Sequence, residues 1–117
     1  MYRAGIDENR WEALLAELIE IDRTLAQRGC VVVFVRFPSS GVLYEAEQEV
    51  FPDHLYWDRL VEAFPGRAWH FRDNPEFRDM DLPDGSHMVS EDARRFSRWL
   101  GARVAPLLAG LPKQDTD

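Results

Sequence analysis

The sequence is poor in the features that would assign it quickly. It has one cysteine in 117 residues, Cys30, so no internal disulfide can form, and nothing requires an oxidising compartment. Cys30 opens an apolar run and reads as a buried, inert thiol. Long hydrophobic runs are also missing. The longest, Cys30 to Val35, has six residues, whereas a membrane-spanning helix needs about twenty, so no membrane span is expected. Basic residues are few, with 14 Lys and Arg against 21 Asp and Glu and a net charge of -7. A phosphate backbone would be repelled overall, which argues against nucleic acid as a partner. The start, Met1-Tyr2-Arg3-Ala4-Gly5, leads into Asp7 and Glu8 without the apolar core of a signal peptide. With Met1 as the true start, a cytoplasmic location is expected. There is no internal repeat and no low-complexity tract.

What is present suits one globular domain. Hydrophobic residues make up 45% of the chain and aromatics 12%, enough for one core in a chain of this length and too little for two. We expect a single α/β domain over residues 1–112 and a disordered tail over residues 113–117. From Trp11 the apolar positions Leu14, Leu15, Leu18, Ile19 and Leu25 recur at helical spacing, while Glu12, Glu17, Glu20, Arg23 and Gln27 take the other face. This predicts a helix from about residue 8 to 28, capped by Asp7, or by Asn9 with Glu12, and closed by Gly29.

Cys30-Val31-Val32-Val33-Phe34-Val35 is apolar at every position and mostly β-branched, which predicts a strand covered on both faces, as in a parallel sheet between helices. Phe37-Pro38-Ser39-Ser40-Gly41 ends it with turn-forming residues. Leu43 to Val50 reads as a short helix. Pro52-Asp53 opens a second clear helix through Trp57, Leu60, Val61 and Phe64, with Asp53 as its cap and Gly66 beyond it. Ala68 to Phe71 is a second strand, and Arg72 to Val89 a long loop rich in Asp, Pro, Asn and Gly. Ser90 caps a last helix whose core face is Phe96, Leu100, Val104, Leu107 and Leu108, with a kink expected at Pro106. The predicted class is α/β, a three-layer arrangement with a parallel sheet of few strands and helices on both faces, a partial flavodoxin-like topology.

In such a sheet the functional loops lie beyond the C-terminal ends of the strands. The second of them contains Leu82-Pro83-Asp84-Gly85-Ser86-His87. There Gly85 lets the chain fold back, so that the Asp84 carboxylate can accept a bond from the His87 ring. With its other nitrogen free, His87 would serve as general base toward a hydroxyl and then as general acid, steadied by Asp84. The bland alternative is an Asp-Gly turn before a capped helix, with His87 merely exposed.

The stretch from Phe71-Arg72-Asp73 through Leu82-Pro83-Asp84-Gly85-Ser86-His87-Met88-Val89-Ser90-Glu91-Asp92-Ala93-Arg94-Arg95-Phe96 resembles the last motif block of SGNH (GDSL-type) hydrolases, D-x-x-H followed by a capped helix. The upstream order of helix, strand, helix and strand is similar to the C-terminal half of that family. The resemblance implies a doubly wound α/β esterase or acyltransferase in which His87 is the catalytic base and Asp84 its orienting partner, acting on an acyl ester. The family's nucleophile-bearing G-D-S segment and its G-x-N oxyanion segment are not in this sequence, so the nucleophile is unknown, and the resemblance implies a chain that supplies the Asp-His part of a Ser-His-Asp triad and is incomplete or inactive alone.

Ser39 and Ser40 lie on the same functional edge and are candidate nucleophiles, although Pro38-Ser39-Ser40-Gly41 reads more simply as a strand-ending turn. No cofactor is expected, and no metal either, because Asp53, His54, Asp84 and His87 come from separate segments without ligand spacing. Tyr56, Trp57, Trp69 and Trp99 read as core or interface aromatics, and Glu45, Glu47 and Glu49 as a solvated face. The alternative to an ester-processing protein is a non-catalytic α/β module that binds another chain, or itself, through its sheet edge. On either reading two strands make a poor sheet, so a homo-oligomer or a complementary N-terminal segment is the expected partner.

Overall fold

The computed structural model describes residues 7–111. The expected tail, residues 113–117, lies outside them. The chain is mixed helix and strand. Helix α1 (Glu8–Gln27) begins where Asp7 accepts a 2.8 Å bond from the Arg10 N–H, so Asp7 rather than Asn9 is the cap. Strand β1 is Phe34–Arg36, followed by α2 (Gly41–Val50), α3 (Trp57–Ala63) and β2 (Ala68–His70). A 3-10 turn over Phe71–Asp73 leads to α4 (Pro75–Arg78), and α5 (Ser90–Ala109) closes the order. The segment read as one long loop thus carries two short helical pieces, started by the side chains of His70 and Asn74. Val89, not Ser90, holds the cap position of α5 and offers no side-chain cap.

The sheet has two parallel strands, β1 and β2, with Phe34 opposite Ala68, Val35 opposite Trp69 and Arg36 opposite His70. Its flanking contacts alternate as a pleat requires. Phe34 and Ala68 pack with Leu15 of α1, with Leu60 of α3 and with Phe64 just beyond its C-terminal end. Val35 packs with Phe71, Phe77 and Phe96, where α4 and α5 meet. Phe77 and Phe96 are edge-on with centroids 5.3 Å apart. Asp22 of α1 accepts both Arg67 guanidinium nitrogens at 2.6 and 2.8 Å, pinning α1 to the turn before β2. None of the described helices is long and apolar enough to cross a membrane.

The first strand departs from the sequence reading. Only Phe34–Arg36 enter the ladder, and Val31 to Val35 are half-buried rather than covered. Cys30 is exposed, not a core thiol. The physical reason is the small sheet: among the described residues β1 has a neighbour on one side only, so its apolar run lacks a second strand that would finish burying it. By contrast, all three residues of β2 are buried.

Candidate functional site

The loops after the two strands are stitched together by backbone. The Ser40 N–H donates to the Gly85 carbonyl at 3.0 Å, and the Leu82 N–H donates to Ser40 Oγ at 3.1 Å. Gly85 has φ of +83°, and a side-chain carbon there would come within 3.2 Å of the Ser40 carbonyl oxygen and 3.3 Å of Leu43 Cβ. Glycine is required at this point twice over, by conformation and by space.

Asp84 and His87 are brought together by the turn that this glycine permits. Asp84 Oδ1 accepts the backbone N–H of Ser86 at 3.0 Å and that of His87 at 2.7 Å, which orients the carboxylate. Its other oxygen, Oδ2, lies 2.5 Å from His87 Nδ1. The Ser86 N–H, the His87 ring and the His87 N–H, in that order, hold the Asp84 carboxyl well below the ordinary carboxylate range, so it is an anion and the Nδ1 proton points at it. That leaves Nε2 as the unprotonated nitrogen of a neutral ring. It faces solvent, with 83% of the His87 side chain exposed. Ser86 Oγ stands 3.1 Å from Nδ1, on the orienting side of the ring rather than the free side.

The two candidate serines lie nearby but do not engage the imidazole. Ser40 Oγ is the acceptor for Leu82, and Ser39 is buried with its hydroxyl 3.5 Å from Glu47 Oε2. Both line a cleft of about 280 Å3 with Tyr44, Arg72 and Met80, and His87 is not part of its wall.

A second histidine, which the sequence reading passed over, is more deeply held. His70 ends β2 and is 4% exposed. Its Nδ1 accepts the Arg72 N–H at 3.1 Å, which places the proton of the neutral ring on Nε2. Nε2 lies 3.1 Å from Asp53 Oδ2, off the line of the ring N–H. Burial pushes the His70 pKa down, and the charge of Arg36 adds to this, against the pull of Asp53 and Asp73. Asp53 was read as the cap of the second helix. Its side chain instead accepts from Gln48 Nε2 at 3.1 Å, because Pro52 to Tyr56 forms a turn and the helix begins only at Trp57. His54 is exposed and apart from this pair. Glu47, read as part of a solvated face, is half-buried in an ion pair with Arg36, because positions 44, 47 and 48 share the inner face of α2. No short motif marks the His70 and Asp53 pair. The one available signal is a histidine at the C-terminal end of a strand.

Among the described residues no group of three or more His, Cys, Asp and Glu side chains is gathered as a metal site. No family model, no curated protein and no solved structure matches this chain.

Proposed function

We propose that this chain is an SGNH-hydrolase-like α/β protein whose exposed Asp84 and His87 act as the orienting acid and general base of an acyl-transfer site. The observation that carries the reading is the 2.5 Å approach of Asp84 Oδ2 to His87 Nδ1 while Oδ1 is fixed by two backbone N–H groups. This arrangement leaves Nε2 free to take a proton from a hydroxyl attacking an acyl carbonyl and to return it to the leaving alkoxide. Asp84 holds the tautomer and stabilises the imidazolium formed in between. The D-x-x-H block and the turn that exposes it support the resemblance drawn from the sequence. The alternation of Phe34 and Val35 between the two hydrophobic clusters supports a three-layer arrangement.

Ser39 and Ser40 are engaged elsewhere, so the hydroxyl nucleophile comes from another segment or from a bound alcohol. The test follows from that. The chain is incubated with p-nitrophenyl acetate and an added alcohol, and formation of the alkyl acetate is followed. We expect catalysed transfer that His87→Ala abolishes. Equal rates for the wild type and His87→Ala would overturn the reading.

A further inference from the structure

The outer edge of β1 is the least finished part of the fold. In the ladder the Phe34 N–H donates to the Arg67 carbonyl at 2.7 Å, and the Val32 carbonyl accepts from Arg67 Nη1 at 3.2 Å, so the even-numbered residues turn their backbone groups toward β2. The odd-numbered residues Val31, Val33 and Val35 turn theirs the other way, where the described residues supply no further strand. No charged side chain lies between Cys30 and Val35. Edge strands in monomers are ordinarily blunted by shortness, charge, proline or a bulge; β1 itself is short and ends in Arg36, but the valine run that leads into it carries no charge and no proline.

We propose that the run Val31–Val35, of which only the last two residues lie in β1, pairs along its outer edge with the same run of a second copy of this chain, antiparallel about a two-fold axis through Val33. The sequence is self-complementary for this. Val33 pairs with Val33 of the other copy and Val31 with Val35, each pair β-branched and each in the hydrogen-bonding phase of the ladder. A two-fold contact needs the same patch on both copies, and this strip supplies it without setting two carboxylates against each other in a chain of net charge -7. The two sheets become one of four strands, and the half-buried valines are covered. The inference is independent of the acyl-transfer reading, since Asp84 and His87 take no part in it.

Cys30, exposed and the only cysteine, reports the geometry directly. In this register the two Cys30 Cα atoms stand about 20 Å apart, three residues either side of the axis at ~3.4 Å each. The experiment measures solution mass by light scattering on the unlabelled chain, and the dipolar distance between nitroxides attached at Cys30.

We expect twice the chain mass and a distance distribution near 20 Å widened by the label arms. Val33→Pro removes an outward N–H without touching the bonds to β2, and Val33→Lys sets two ammonium groups face to face on the axis. Both are expected to halve the mass and abolish the dipolar signal while far-ultraviolet circular dichroism keeps its helical signal. Where the proline variant unfolds, the lysine variant decides. A wild type of single-chain mass, a dimer that survives Val33→Lys, or Cys30 residues close enough to oxidise to a disulfide would each overturn the proposal.

Discussion

His70 Nε2 stands 3.1 Å from Asp53 Oδ2 inside the protein, while its Nδ1 accepts the Arg72 N–H, so the ring is held neutral in one tautomer. Burial is the main cause of its lowered pKa, which gives this pair a pH signature. Between the folded and unfolded pKa values the unfolded chain binds the extra proton. Stability contributed by neutral His70 is therefore fully present above the ordinary histidine range and lost as pH falls below about 6.5. One such group gives a slope of at most about 1.4 kcal/mol per pH unit. We expect urea midpoints to fall between pH 7 and pH 5, and this fall to flatten in His70→Asn, which keeps an acceptor for the Arg72 N–H. An unchanged slope in the variant would remove His70 as its source.

Asp84→Asn keeps an oxygen for the Ser86 and His87 N–H groups but puts an amide where the carboxylate faced Nδ1. Nδ1 should then become the acceptor and the proton move to Nε2, the nitrogen that has to be free for base catalysis. Nitrogen-15 spectra of the imidazole should show the tautomer reversing. Acyl transfer in this variant should fall to the level of His87→Ala.

Gly85→Ala asks an L-residue to adopt φ of +83° with a carbon 3.2 Å from the Ser40 carbonyl oxygen. The expected loss is about 1–3 kcal/mol in chemical denaturation. The exchange protection of the Ser40 and Leu82 amides should drop with it, since both bonds depend on this approach.

Phe77 is fully buried among Phe71, Phe96 and Trp99. Phe77→Ala should cost about 3–5 kcal/mol by thermal or urea unfolding, from lost transfer energy and the cavity left behind. At the other cluster, Asp22→Asn breaks the two-nitrogen grip on Arg67 that ties α1 to the start of β2. The hydrogen bond from Arg67, above all, lowers the Asp22 pKa, so the stabilisation is present at neutral pH and lost as pH falls through the carboxylate range. A loss of about 1–2 kcal/mol at neutral pH, shrinking in acid, is the expected result.

Much of the local structure is legible in the sequence alone. The apolar spacing of Leu14, Leu15, Leu18 and Leu25 places α1 within a residue of its observed ends, and Asp7 is one of the two caps expected. Phe96 and Leu100 mark the face of α5 that meets the core. The Asp84 and His87 contact was also readable, because a D-G-x-H turn closes over three residues and needs no help from the rest of the chain. The ends of the other elements were less legible. Pro52-Asp53 looks like a helix start, yet Pro52 to Tyr56 forms a turn and the helix begins only at Trp57, which leaves the Asp53 carboxylate to accept from Gln48.

By itself, then, the sequence determined what interactions within one turn of chain decide: the helical periods, the Asp7 cap, and the glycine-dependent turn carrying Asp84 and His87. Tertiary structure alone decided that His70 meets Asp53, that Glu47 turns inward to Arg36, that Ser40 serves Leu82 instead of the imidazole, and that Cys30 stays exposed and the valines after it only half-buried. The reason is physical. Contacts between residues three or four apart follow from backbone geometry, whereas these pairings join distant segments and depend on where the described strands and helices find space to pack.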